Sequence, residues 1–478
     1  MVREDRDGPA GLGHALRDRA WPPGFVWGAA TSAFQIEGDA EGRGRSIWDE
    51  LCEQPGRILD SSDGRVACDH VHRYAEDVAL LAELGVDAYR FSVSWPRVQP
   101  TGRGEVSAAG LDFYDRLVDT LLAAGVQPWV TLYHWDLPAE LEAAGGWPDR
   151  DVVDRFAEYA VAVHAALGDR VRHWTTLNEP WCSAWLGYGQ GEHAPGRNDR
   201  GLAARASHHL LLAHGRAVRA LRGQAPPDHQ LGVVLNLFPA RAVAGKAGDP
   251  AVAEAVRVVD GVQNRWWLDA IFRGRYPDDV LAILAPALDG VIEDGDLAEI
   301  NAPLDLLGVN YYNDQLVDAG GPPERTLSGA YPVPPEITAG EPEGLATSMG
   351  WPVTPDGLRE TLLRIGRHYP DAPPLVVTEN GAAQDDPPPG ADGVVDDGPR
   401  VDYLLAHLDA TAAALRDGAD VRGYFAWSLL DNFEWAWGYT QRFGLVHVDF
   451  ESQRRRPKRS FHAYRRAIAA ARHAGAFA

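Results

Sequence analysis

The chain has 478 residues, two to three times a modal domain of about 100–150, so it builds either two domains or one large barrel. Hydrophobic residues make up 45% and charged residues 24%, ordinary globular proportions that confine disorder to local segments. With 45 Lys+Arg against 68 Asp+Glu the formal charge is −23, and so acidic a body repels a polyanion, which excludes nucleic acid as a partner.

Residues 1–20 alternate charged and small side chains without the apolar run of a signal peptide, and read as a flexible N-terminal tail. Short apolar runs then alternate with Ala/Leu/Arg-rich stretches of helical spacing. The first run is Phe25 to Thr31, followed by a Gly-rich and charged insertion from Gly38 to Arg65. A helical pattern from His72 to Gly85 leads to the second run, Asp87 to Val93, and another from Leu111 to Gly125 leads to the third, Gln127 to Tyr133. Each pattern ends in a glycine suited to a C-cap. The fourth run is His173 to Glu179, with an insertion at Gly187 to Gly201; the fifth is Leu231 to Leu237 and the sixth Leu304 to Asn310. Insertions at Ala319 to Gly344 and Ala383 to Arg400 flank the seventh run, Leu375 to Asn380, and the eighth is Gly423 to Leu429. Within the last insertion, Asp385 to Pro399 (DDPPPGADGVVDDGP) reads as a solvated surface loop.

Eight strands separated by helices are the arithmetic of an α/β fold, a single (β/α)8 TIM barrel spanning 21–470 with long βα loops and a C-terminal tail at 471–478. Such a barrel needs about 250 residues, so roughly two hundred more belong to loops. Three cysteines, Cys52, Cys68 and Cys182, are too few and odd in number for a disulfide framework, which suits a reducing, cytoplasmic setting. No 18-residue apolar stretch is present, so no membrane is expected.

Active sites of such barrels lie at the C-terminal strand ends. The fourth run closes on Asn178-Glu179-Pro180 and the seventh on Glu379-Asn380-Gly381. The third is followed by His134-Trp135-Asp136, the sixth ends in Asn310-Tyr311-Tyr312, and the second carries Arg90. Strands four and seven are three apart in a ring of eight, so Glu179 and Glu379 face one another across the mouth, while Pro180 and Gly381 turn the chain away just after each carboxylate. Two opposed carboxyls suit a retaining glycosidase, in which one attacks the anomeric carbon and the other protonates the leaving oxygen. A single glutamate at a strand end reads as a solvated loop carboxylate, and a single tryptophan or histidine as packing; the joint pattern points to chemistry. The 16 tryptophans supply flat faces that suit sugar rings as well as a core. His70 and His72, and the pair His208-His209, lack a third ligand at zinc spacing, so no metal is expected.

The motifs FVWGAATSAFQIEG at Phe25, TLNEP at Thr176, VTENG at Val377 and WSLLDNFEW at Trp427 occur in order, and from Trp21 to about Tyr464 the chain resembles glycoside hydrolase family 1, the β-glucosidase family. The resemblance implies Glu379 as nucleophile and Glu179 as general acid/base, with Arg90 near the nucleophile and Tyr312 bonded to it. It implies Gln35, His134, Asn178, Glu434 and Trp435 as hydrogen-bonding partners of the glycone, and Trp427 as its stacking platform. Phe443 and Asn310 would complete the wall, and Trp351 would line the aglycone side. On this basis Arg90 keeps Glu379 ionised, and the neighbouring negative charge raises Glu179 so that it starts protonated. An anionic Glu434 would repel a 6-phosphate, leaving a neutral glycone.

The implied activity is a retaining, exo-acting β-glucosidase releasing terminal non-reducing β-D-glucosyl residues, with β-fucosides and β-galactosides as further substrates and no cofactor. Its partners would be small β-glucosides or cello-oligosaccharides, and a homo-oligomer is compatible with the sequence. Phe34 and Val71 stand where the family usually or often has Tyr, as packing changes. A sugar-binding protein without catalysis would have lost a carboxylate, and both are present. A phosphate-handling aldolase would want a lysine on a strand, and neither Lys246 nor Lys458 is on one.

Overall fold

The computed structural model describes residues 21–391 and 393–475, with only the backbone of the last two. Eight parallel strands close into a barrel: β1 (Val26–Ala30), β2 (Ala88–Ser92), β3 (Gln127–Tyr133), β4 (His173–Asn178), β5 (Gln230–Asn236), β6 (Leu306–Asn310), β7 (Leu375–Asn380) and β8 (Val421–Trp427). β1 pairs with both β2 and β8, so no barrel edge is left open. Every run read from the sequence is a barrel strand, with ends displaced by two residues at most.

The helices follow their apolar periodicity. His70–Leu84 buries Val78, Leu81 and Leu84 along one face and ends at Gly85, whose φ of 79° lets its N–H reach the Leu81 and Ala82 carbonyls. Inside the barrel, Ala30, Ala88, Trp129, Leu306, Val376, Phe425 and Trp427 form a buried cluster. Trp129 stacks on His173 at 4.2 Å and lies 5.0 Å from Phe425. Gly28 makes room for this filling, since a Cβ there would fall 2.1 Å from the Phe425 ring.

The register slips where chemistry was expected. The β4–β5 pairing shifts between Thr175 and Asn178, the β7–β6 pairing between Val377 and Glu379, and the β7–β8 pairing between Val377 and Asn380. Such irregularities at a barrel rim re-aim side chains. The loop insertions carry structure of their own. Residues 337–339 pair antiparallel with 315–319, which also pair with 240–242, and 446–449 form a hairpin with 454–457.

The reading of Asp385 to Pro399 as a solvated loop is corrected at both ends. Asp386 is held by Arg400 and Lys458, and Asp397 accepts the Ser460 N–H at 2.8 Å. At the C-terminus, the helix Arg459–Gly475 runs into the segment 471–478 expected as a tail, while the expected tail 1–20 lies outside the described residues.

Candidate active site

The strand ends bring two buried carboxyls together. Glu179 follows β4 with a φ of 45°, a left-handed conformation that non-glycine residues rarely adopt, and Trp135 (76°) and Trp435 (49°) share it at the same mouth. Each such residue stores strain of order 1–3 kcal/mol, which persists only where surrounding contacts hold it. Gly381 is required after Glu379 because a Cβ there would fall 1.7 Å from the Trp427 carbonyl oxygen.

A single network orients both groups. Arg90 Nη1 donates to Glu379 Oε1 at 2.6 Å, Nη2 to Asn178 Oδ1 at 2.7 Å, and Nε to Thr131 Oγ1 at 3.1 Å. Tyr312 Oη donates to Glu379 Oε2 at 2.6 Å. Asn310 Nδ2 donates to Glu179 Oε1 at 2.6 Å and to Asn178 Oδ1 at 3.1 Å, its amide fixed by the Thr378 hydroxyl, which donates to Oδ1 at 2.7 Å. With both Asn178 Oδ1 contacts so defined, its Nδ2 donates to His134 Nε2 at 3.0 Å. Burial, and then Arg90, push His134 well below its ordinary range, so the neutral ring carries its proton on Nδ1, which has no hydrogen-bond partner among the described residues.

The electrostatics separate the two carboxyls. Burial first, and the Glu379 charge second, raise Glu179, against the pull of Asn310, Cys182 and Arg90. Burial also raises Glu379, opposed by Arg90, Tyr312 and Asn310, which favour its ionised form. At Glu179 burial, rather than neighbouring charge, is the leading cause. Glu434 is pushed up to about 8, by burial first and then by the Glu379 and Glu179 charges. The direction of that shift runs against the expectation of an anionic Glu434. Among the described residues that line the cleft, Arg325 is the one lysine or arginine, and it is paired with Glu341.

Above the carboxyls lies a cleft of about 460 Å³. Of the residues named from the sequence, Glu179, Glu379, His134, Asn310, Tyr312, Trp351, Trp427, Glu434, Trp435 and Phe443 line it. Arg90, Asn178 and Gln35 lie behind the lining. Gln35 Nε2 donates to Asn432 Oδ1, the Phe433 carbonyl and Glu434 Oε2, which sets the loop after β8. Trp427 stacks with His134 at 5.8 Å, and Trp351 packs on Tyr312 and Phe443 at 5.6 and 6.1 Å. Phe34 lies parallel to Trp435 at 6.1 Å, a packing contact as expected. Six of the 16 tryptophans line the cleft, while others such as Trp48, Trp95 and Trp174 are core.

Sequence reasoning missed Thr131, Thr378 and Cys182. The two threonines were legible as polar residues inside the apolar runs QPWVTLY and LVVTEN, and Cys182 as the residue three beyond Glu179. The histidines set aside as structural are engaged elsewhere: His70 with Asp77 at 2.7 Å, His208 with Tyr276 and Asp296, and His209 with the Trp147 carbonyl. Among the described residues no group of three or more His, Cys, Asp or Glu is placed to hold a metal.

A closed parallel barrel with two buried carboxyls at the ends of its fourth and seventh strands, beneath an aromatic cleft, has the parts a glycoside hydrolase uses. The chain belongs to glycosyl hydrolase family 1, which it matches over residues 17–473. It is 49% identical over 462 residues to the bifunctional β-D-glucosidase/β-D-fucosidase of Bifidobacterium breve, covering 94% of this chain and 98% of that one. Thermostable β-glucosidase B of Thermobispora bispora is 49% identical over 464 residues, covering 96% and 92%. Among solved structures, the psychrophilic β-glucosidase of Micrococcus antarcticus superposes with a TM-score of 0.90 at 48% identity, covering 96% of this chain and 100% of that one. The β-glucosidase of Thermotoga maritima in complex with glucoimidazole superposes at 0.88 with 41% identity, covering 95% and 99%.

Proposed function

We propose that the enzyme is a retaining, exo-acting β-glucosidase that releases terminal β-D-glucosyl residues through a covalent glycosyl-enzyme. The observation that carries this reading is the Asn310 amide and Arg90 guanidinium holding Glu179 and Glu379 in one network while their proton affinities are driven apart. Glu379, the first of the pair to ionise, attacks the anomeric carbon, and the glycosidic bond breaks as Glu179 gives its proton to the leaving oxygen. Esterification removes the Glu379 charge and with it part of what raised Glu179, which then takes a proton from water as the water oxygen bonds the anomeric carbon and the ester bond to Glu379 breaks, releasing the sugar and the Glu379 carboxylate.

Arg90, Tyr312 and Asn310 hold the reacting carboxyls. His134 and, beside it, Glu434 and Trp435 receive the glycone hydroxyls over the Trp427 face, with Asn178 behind His134 and Gln35 behind Glu434 orienting them, Phe443 closing the wall and Trp351 on the aglycone side. Glu434 and Gln35 address the far end of the ring, a mode that admits glucose, fucose and galactose unequally; the name of the Bifidobacterium breve relative supports β-fucosides as a second substrate. Small β-glucosides or cello-oligosaccharides are the partners. No helix among the described residues is long and apolar enough to cross a membrane. The three unpaired cysteines support a cytoplasmic place in carbohydrate metabolism.

Hydrolysis of p-nitrophenyl β-D-glucoside by wild type and Glu379→Gly, with azide added to the variant, tests the reading. Activity in the wild type, its loss in the variant and rescue as the α-glucosyl azide are expected. A wild type that binds sugars but cleaves no β-glucoside, β-fucoside or β-galactoside overturns it.

A further inference from the structure

We propose that Cys182 is a positioning residue for proton transfer, its thiol held by Asn236 and donating to the carboxyl of Glu179 so as to set that carboxyl's proton affinity. The inference rests on the reading of Glu179 as general acid/base. Cys182 opens the helical segment Cys182–Gln190 that follows β4, its backbone N–H bonded to the Glu179 carbonyl at 2.9 Å, and its Sγ lies 3.2 Å from Glu179 Oε2. The other carboxyl oxygen, Oε1, takes the Asn310 amide. Each oxygen of Glu179 therefore has one protein donor, one from β6 and one from the enzyme's own β4 loop. Asn236 Nδ2, at the end of β5, donates to Sγ at 3.5 Å, so the sulfur accepts on one side and offers its hydrogen to the carboxyl on the other.

Burial, and then the adjacent Glu179, hold the thiol well above its ordinary value, so it remains a neutral donor throughout the working range. A donor to the carboxylate form lowers the proton affinity of the acid. Glu179 must give a proton in one half-reaction and take one in the next, so an affinity left too high by burial would slow the second step. The other groups that face it are Glu379 at the end of β7, Arg90 on β2, Tyr312 after β6, Glu434 after β8, neutral His134 after β3, and Glu192 on the Cys182 loop. Removing the thiol takes away a donor without altering any of those charges.

The test is the pH profile of kcat/KM on p-nitrophenyl β-D-glucoside for wild type, Cys182→Ala and Cys182→Ser. For alanine the basic limb moves up by about half a pH unit, about a threefold gain in proton affinity, as befits loss of one weak donor. Serine, which keeps a donor and a stronger one, moves the limb below the wild-type position. A merely structural role would lower the melting temperature of the alanine variant and leave the limb in place. An alanine profile that superimposes on wild type, or a serine variant that shifts upward with alanine, overturns the proposal. If alanine does not fold, serine against wild type decides: an unchanged limb overturns it, and a lowered one supports it. Glu179→Gln, assayed alongside, should lose the basic limb while still turning over 2,4-dinitrophenyl β-D-glucoside, whose leaving group needs no acid. If that variant keeps the wild-type limb, the acid/base reading itself fails and takes this inference with it.

Discussion

Replacing Arg90 by methionine removes a cation while leaving an apolar stem in its place. The guanidinium is 2% exposed and serves Glu379 at 2.6 Å, Asn178 at 2.7 Å and Thr131 at 3.1 Å. A hydrogen bond to a charged group contributes about 1.5–3 kcal/mol. At about 1.4 kcal/mol per pKa unit, Glu379 rises by a further one to two units or so. The nucleophile must be ionised, so the acidic limb of kcat/KM moves up by that amount. At any pH below that limb, activity falls about ten- to a hundredfold.

Stability follows with a definite sign. The folded-state pKa of Glu379 already lies above its unfolded value, so burying it carries no penalty at low pH, where both states are protonated, and a penalty that grows as pH rises through the folded value. Arg90→Met widens that window. Its stability deficit is therefore small at about pH 4 and larger at neutral pH, up to about 3–5 kcal/mol for a broken buried pair. Initial-rate profiles and denaturant melts at both pH values measure this. An acidic limb that stays at the wild-type position, with wild-type stability at neutral pH, refutes the reasoning.

Thr378→Val leaves the buried Asn310 Oδ1 without its donor and frees the amide to turn its oxygen toward Glu179; the expected loss is about 1–2 kcal/mol of stability and about tenfold in kcat/KM, both restored by Thr378→Ser. Gly381→Ala places a Cβ 1.7 Å from the Trp427 carbonyl, so a stability loss of at least about 1–3 kcal/mol together with lost activity is expected in a thermal melt and assay. Lys458→Met strips the buried Asp386 and Asp431 of their shared cation. Buried cations hold Asp431 below the usual carboxylate range, so that stabilisation is present above its unfolded pKa and lost in acid. The variant is therefore weaker by about 3–5 kcal/mol at neutral pH and closer to wild type in acid, read from denaturant melts.

The barrel was legible because each strand carries its own evidence: an apolar run such as LGVVLNL or LVVTEN marks burial on both faces wherever it lies in the chain. Strand order then placed Glu179 and Glu379 opposite one another without knowledge of any side-chain contact. The loop Asp385 to Pro399 misled because composition reports average solvation, whereas the fate of Asp386 was set by Lys458, 72 residues away. The cause of the Glu179 shift was ranked wrongly because burial depth is not written in a motif.

Sequence alone thus determined the element order, the ring positions of the two carboxyls and the residue types around them, since these depend on local periodicity and on counting. Only the tertiary structure decided that β4 and β7 slip register beside their carboxylates, that Trp135, Glu179 and Trp435 adopt positive φ, and that Cys182 and Asn310 share the oxygens of Glu179. The physical reason is separation along the chain. Arg90 and Glu379 are 289 residues apart, and Gln35 and Glu434 are 399. Contacts of that span exist once the closed barrel has brought its strand ends together, and the proton affinities follow from the contacts.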